Sequence, residues 1–393
     1  MSKQKSMLVK LPPQGFAFWP VGSGDSTTIA VGDDVFMQVD IRHLACADED
    51  DEDPRMAIID HLEKILPKVG GKPYLSVFVL THPDEDHCRG FADLLKRVTI
   101  GEIWHTPRVF REYPKDLCDD AKAFRNEAKR RVAKTIKEGE VGAGDRVRVI
   151  GYDDLLKEDD YKGFPTDRLT VPGNAVVELD GEDCSDRFRA FVHAPFKDDC
   201  EGDRNDTSVA LQVTLLKEQA AGKALIFGDL CYPTVKRIFD ASDDADVEWN
   251  VFLAPHHCSK SVMYWKGEGE SEETLKQDIL DAIEGAADSP GYIVASSEPI
   301  PASNKPGDNP PHAKAKERYE EIVPDAFLCT QEHPNEETPE PIIFALDEDG
   351  LKYQEPQQKG DAQKSRTVSE AVIAARGSSD PPSRRVGFGR END

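Results

Sequence analysis

The sequence predicts an α/β sandwich, and three observations carry that expectation. Apolar runs rich in β-formers alternate with stretches of helical spacing. Run after run ends in a His or an Asp. One of them, Ser76-Val77-Phe78-Val79-Leu80, leads straight into Thr81-His82-Pro83-Asp84-Glu85-Asp86-His87. Imidazoles and carboxylates at that density, on a loop leaving a buried strand, suit a transition-metal site. Adjacent Asp86 and His87 must point differently, so a second ion beside one held by His82 and Asp84 is expected. A polar surface loop is the plainer alternative, and this density after a buried strand disfavours it.

The elements follow in order. Phe16 to Val21 reads as a strand entering a glycine turn, Gly22-Ser23-Gly24. Thr27–Val31 and Val35–Val39 form a hairpin across Gly32-Asp33-Asp34. Asp40 then ends a buried strand, where a carboxylate needs a partner. It either orients a metal-binding His or is an ordinary turn aspartate. Ala47 to Asp53 is an acidic loop, and Met56 to Lys68 spaces its apolar residues as an amphipathic helix. A second helix is expected over Gly90–Arg97 and a strand over Thr99–His105; His105, alone at that end, carries no firm role.

Asp116 to Glu138 reads as a long, charged, exposed helix inserted on the domain. Its basic face either guides an anionic substrate or is a solvated face with acid–base pairs, the second being favoured. Further strands are expected at Arg146–Ile150, Val209–Leu216, Lys223–Phe227, Asn250–Ala254, Tyr292–Ser296, Ala326–Thr330 and Ile342–Leu346, and the run from Phe188 to Pro195 repeats the order of strand, then His193, then Pro. Helices are expected from Ser271 to Glu284 and over Ala313–Ile322. Four strand ends carry the chemistry: His82, His193, Gly228-Asp229 and His256-His257. Strand ends that converge are how such a sandwich assembles one site at one edge.

The chain has 393 residues, enough for a large core, and a formal net charge of −26. That charge argues against tight nonspecific duplex binding, which needs Lys and Arg on phosphates. Bound metal supplies positive charge locally, so a phosphate substrate stays open. Eight cysteines without a C-x-x-C pair suggest free thiols in a reducing compartment. No apolar run reaches membrane length and the N-terminus has no signal-like core, so a soluble, cytoplasmic protein without membrane contact is expected. The polar tail from about Pro356 is expected to be disordered, with a short helix around Ser369 to Arg376 suited to docking a protein partner.

Taken together, Val21-Gly22-Ser23-Gly24-Asp25, His82-x-Asp84-x-Asp86-His87, Asn205-Asp206-Thr207-Ser208, Gly228-Asp229 and His256-His257-Cys258-Ser259 resemble, in that order, the metallo-β-lactamase superfamily. Within it they are most similar to the hydrolase domain of the DNA-uptake channel protein ComEC, in a stand-alone form. Ser23 replaces Gln and Cys258 replaces Gly of that pattern; Gly at the latter position allows a tight turn.

The resemblance implies a four-layer αββα sandwich over residues 1–352, with a charged helical insertion at about 114–140 and a flexible tail over 353–393. It implies two divalent ions, Zn²⁺ or Mn²⁺. His82, Asp84 and, less securely, His193 would hold the first. Asp86, His87 and His256 would hold the second, with Asp229 bridging; His256 is preferred to His257 because related members place one His directly after the strand and its Pro. Asp86, Lys260 and His312 would serve catalysis, Lys260 being as readily a plain surface residue. Asn205, Ser208, His257 and Ser259 would contact substrate. The activity implied is a two-metal phosphodiesterase or nuclease acting through a metal-activated hydroxide, on nucleotides or on short or single-stranded nucleic acid. The alternatives are hydrolysis of a lactone, thioester or other non-phosphate ester, and a partner-binding module with residual metal binding.

Overall fold

The computed structural model describes residues 9–32, 34–45, 53–111, 117–199 and 205–356. The acidic run before Asp53, the middle of the first hairpin turn, the end of the loop before Asn205 and the tail helix therefore lie outside the described residues. Two twisted sheets face each other. The first runs in the order Gly350–Tyr353, Ile342–Asp347, Gly15–Phe18, Thr27–Gly32, Val35–Val39, Lys72–Val79, Thr99–His105, Arg146–Ile150, Leu169–Thr170. The second runs Phe327–Cys329, Ala287–Ala295, Trp249–Leu253, Ala220–Ile226, Ala210–Lys217, Phe188–Ala194, Ala175–Val176.

Strand alternation sorts the side chains into three apolar layers. Val77 and Val79 face inward with Val192, Val213, Ile226, Val251 and Leu253 to fill the space between the sheets. Phe78, between them in sequence, points outward onto helices Ile58–Ile65, Phe91–Arg97 and Asp119–Glu138. On the far side, Leu225 and Phe252 meet helices Tyr232–Ala241, Gln277–Gly285 and Ala313–Ile322. The result is a four-layer αββα sandwich.

One expectation is corrected here. The helix Asp119–Glu138 is packed rather than exposed: Ala121, Phe124, Ala128 and Val132 form one buried stripe, and Phe124 lies 4.9 Å from the Phe91 ring. Arg131 is 1% exposed, because its guanidinium donates to the carbonyls of Ile100 (3.0 Å), Gly101 (3.1 Å) and Arg146 (2.9 Å). Among the other charges, Lys122 pairs with Asp119, Arg130 with Glu127 and Asp145, and Lys134 with Asp145. That is the acid–base face, not a free basic one.

The helix Tyr232–Ala241 escapes the sequence reading altogether. Its signal is present: Pro233 in the first turn, where a missing N–H does no harm, then Val235 and Ile238 at helical spacing.

The parallel pairings fix the site. Val35–Val39, Lys72–Val79 and Thr99–His105 run parallel in the first sheet, and Ala220–Ile226, Trp249–Leu253 and Ala287–Ala295 run parallel in the second. Their carboxyl ends lie on a common edge, where ligands bind in open α/β sheets.

Candidate metal centre

Asp229 stands at the centre of this edge, 3% exposed, and its two oxygens look in different directions. Oδ2 faces His82 Nε2 at 3.7 Å and His256 Nε2 at 3.6 Å. Oδ1 faces His87 Nε2 at 3.1 Å and His257 Nε2 at 3.5 Å. Asp84 Oδ2 lies 3.6 Å from His82 Nε2, and Asp86 Oδ2 lies 3.2 Å from His257 Nε2. The side chains thus fall into two groups that share Asp229.

The imidazoles are held from behind. His87 Nδ1 donates to Asp40 Oδ2 at 2.7 Å; the same carboxylate accepts from Thr81 N (2.7 Å) and Thr81 Oγ1 (2.6 Å). Asp40, 0% exposed, therefore orients a candidate ligand rather than capping a turn. His257 Nδ1 donates to the Ser296 carbonyl at 3.1 Å, with Asp25 Oδ1 at 3.5 Å. His82 Nδ1 lies 3.2 Å from Ser208 Oγ, a hydroxyl already donating to the Asn205 carbonyl and so free to accept. In His82, His87 and His257 Nδ1 is engaged, which leaves Nε2 as the bare ring nitrogen; His256 Nδ1 is buried without a hydrogen-bond partner.

Those bare atoms are the test of whether a metal fits. Nε2 of His82, His87 and His257 and Oδ1 of Asp229 are buried without a hydrogen-bond partner. Buried polar atoms are seldom left so, and here they converge. Asp25, His87, Asp229 and His257 each offer a donor atom within 4.8 Å of the others. Nitrogen and carboxylate oxygen in this mix suit a divalent metal ion.

The electrostatics agree. Burial pulls the His87 imidazole down, but Asp229, Asp40 and Asp86 outweigh it and raise it well above its ordinary value. The same balance, burial against Asp229, Asp25 and Asp86, raises His257 to about 10. Burial, then the positive His87, lowers His82 to about 3. The carboxylates create a negative pocket that favours cationic charge, which a divalent ion provides in concentrated form.

The sequence-based assignments are redistributed in several places. His257, expected to contact substrate, is the imidazole on Asp86 and His87; His256 lies instead on the His82 side. The cause is the backbone: His256, His257 and Cys258 are all left-handed, with φ of 51°, 52° and 65°, so neighbouring rings straddle Asp229. His193 is not brought to the cluster. Val192 faces the core between the sheets, so His193 points to the other face, where Nδ1 meets Ser242 Oγ and Nε2 the Asp246 carbonyl, each at 3.0 Å. Ser208, expected to contact substrate, is buried against His82, its hydroxyl held by the carbonyl of the partly exposed Asn205. Ser259 Oγ accepts from Ser261 N and Oγ. Lys260 Nζ pairs with Glu273 at 2.5 Å. Both His312 nitrogens are engaged, Nδ1 accepting from Lys260 N at 3.2 Å and Nε2 meeting the Asp308 carbonyl at 3.1 Å. Asp25 is the member of the cluster that sequence reasoning left without a role; its signal was its place at the end of the glycine turn.

No family model and no curated protein matches the chain. Among solved structures it is similar to the metallo-beta-lactamase fold protein YhfI from Bacillus subtilis, at TM-score 0.37 and 9% identity, covering 80% of this chain and 95% of that one. It is also similar to Igni18, a metallo hydrolase from Ignicoccus hospitalis, at TM-score 0.40 and 11% identity, covering 84% and 98%. These likenesses are too distant to bear on chemistry, which rests on the centre itself. No helix among the described residues is long and apolar enough to cross a membrane.

Proposed function

We propose that the chain is a metal-dependent hydrolase holding two divalent ions, Zn²⁺ or Mn²⁺, and cleaving phosphodiester bonds in nucleotides or in short or single-stranded nucleic acid. The observation that carries this reading is the shared Asp229, with one imidazole pair on each carboxylate oxygen. His82, Asp84, His256 and Asp229 would hold one ion; Asp86, His87, His257 and Asp229 would hold the other, with Asp25 beside them. Divalent ions supply Lewis acidity to an attacked phosphoryl group and make water a stronger acid.

The chain's own residues do the rest. Asp40, Ser208 and the Ser296 carbonyl engage Nδ1 of His87, His82 and His257, so that Nε2 of each is the nitrogen aimed inward. Side-chain exposure is 28% for Asp84, 38% for Asp86 and 23% for His256, against 0–4% for His82, His87, His257 and Asp229. Substrate therefore approaches on the Asp84–Asp86–His256 side, where Asp86 can hold a water in line with the attacked group. A net charge of −26 disfavours a long duplex lying across the surface and favours a short or flexible strand whose phosphate enters the centre.

The test uses the full chain with Mn²⁺ or Zn²⁺ on single-stranded DNA, duplex DNA, RNA and nucleotides, beside Asp86→Ala. Metal-dependent cleavage that disappears in the variant supports the reading. Two bound ions without cleavage of any of these substrates would overturn the phosphodiesterase assignment and leave the metal centre standing.

A further inference from the structure

We infer that Cys88 and Cys118 are a peroxide-oxidised thiol pair, closing a disulfide that ties the long helix Asp119–Glu138 to the turn carrying His87. Cys88 follows His87 at the end of the turn Glu85–Cys88 and is fully buried. Cys118 is half-buried and caps the helix, its sulfur accepting from Ala121 N. Both thiols are free, and their sulfurs lie 3.6 Å apart across 30 residues of chain.

The surrounding backbone already holds the two in register. Asp120, two residues after Cys118, accepts from Gly90 N and from Ala92 N, each at 2.9 Å. The helix start is thereby fixed to the segment that follows Cys88. A disulfide needs the sulfurs at about 2.05 Å, so they must close by roughly 1.5 Å, a side-chain movement rather than a refolding.

The two thiols are also unequal. Cys118 is half-buried at a helix N-terminus, where Ala121 N donates to its sulfur and favours the thiolate, whereas Cys88 is fully buried. The half-exposed sulfur is therefore the attacking thiolate and the buried one resolves it.

The chemistry balances with hydrogen peroxide as oxidant. The Cys118 thiolate attacks one peroxide oxygen, the O–O bond breaks, and a sulfenic acid forms with release of hydroxide, which takes up a proton to become water. The Cys88 sulfur attacks the sulfenic sulfur, the S–O bond breaks, and a second water leaves with the Cys88 proton. Two thiols and one peroxide become one disulfide and two waters. A thiol reductant reverses the step.

The experiment treats the full chain with a few equivalents of hydrogen peroxide, then maps its peptides without reduction. The expected result is a loss of about 2 Da per chain, a linked pair of peptides holding Cys88 and Cys118, and a thermal midpoint raised on the order of 5 °C, all reversed by dithiothreitol. Cys118→Ser keeps a good N-cap residue and so keeps the fold, but forms no link; Cys88→Ala stops at sulfenic or sulfinic acid on Cys118. Wild-type protein that stays folded yet links neither cysteine, links them to others, or gives sulfinic acid on Cys118 overturns the proposal. None of these readouts depends on hydrolase activity, so the pair and the proposed function fail separately.

Discussion

Asp40→Asn isolates the support of one imidazole from the fold around it. Asp40 has φ of 54°, and Asn is among the few residues that adopt that left-handed backbone readily, so the substitution leaves the chain path in place. All three hydrogen bonds to Asp40 come from donors: Thr81 N, Thr81 Oγ1 and His87 Nδ1. An amide sets its NH₂ against Thr81 N in one orientation and against Thr81 Oγ1 and His87 Nδ1 in the other. If the amide opposes His87, the ring shifts its proton to Nε2, the nitrogen that must be bare to bind metal. Loss of such a partner lowers metal affinity about 10- to 100-fold, or ~1.4–2.8 kcal/mol. The unmatched donor lowers stability by a further ~1–3 kcal/mol. Competition against a chromophoric chelator gives the affinity, and urea unfolding of the metal-free protein gives the stability. Affinity within threefold of wild type, while Asp229→Asn loses binding, would refute the claim that Asp40 sets the His87 tautomer.

Three further outcomes are expected. His193→Gln keeps the full metal content, since His193 faces Ser242 and Asp246, and it flattens the acid limb of stability. Burial lowers His193 from its ordinary 6.5 to about 4, so its neutral form stabilises the fold fully above pH 6.5 and that contribution is lost as pH falls toward 4. Wild type should lose roughly 1.4 kcal/mol per pH unit more than the variant across that window, read by urea unfolding at each pH. Ser208→Ala weakens the ion on the His82 side by about tenfold, less than Asp40→Asn does, because Thr81 Oγ1 still lies 3.1 Å from His82 Nδ1. Stepwise metal titration should show one site shifted and the other unmoved. Arg131→Met keeps the aliphatic packing but strips donors from three carbonyls and a partner from Glu127, so urea unfolding should show a loss of about 3 kcal/mol or more.

Some of the fold was legible because periodicity alone determined it. Val35–Val39, Thr99–His105, Arg146–Ile150 and Ala313–Ile322 have the bounds their patterns gave. Elsewhere the pattern was read against the wrong environment. Arg131 made the long helix look exposed, because nothing in sequence reveals three carbonyls waiting for a guanidinium. His193 shares the strand–His–Pro signature of His82, yet the pleat sends the two to different faces, and a shift of one residue decides which. Lys260 and His312 have the chemistry of catalytic groups, but each was already matched to a neighbour distant in sequence. Asp40 was the reverse case: a carboxylate ending a buried strand had to be satisfied, and the sequence left an imidazole partner and an ordinary turn as alternatives, between which the His87 contact decides.

The turn after Trp249–Leu253 shows why the centre demands more than strand ends. Two adjacent imidazoles cannot both reach one carboxylate from an ordinary helical or extended backbone without one ring pointing away. Three successive left-handed residues, His256, His257 and Cys258, solve this, with His256 N tied to the Gly228 carbonyl at 3.0 Å just before Asp229. Such a conformation costs roughly 1–2 kcal/mol per residue for side chains with a Cβ. It persists only when its surroundings over-determine it, and the surroundings here are the Ser296 carbonyl on His257 and the buried pocket that encloses Cys258. Where the related pattern has Gly, this chain accepts the strain at Cys258 and recovers part of it by burying the thiol. The backbone is strained where two adjacent imidazoles share one carboxylate, so the crowding at Asp229 is set by the chain itself.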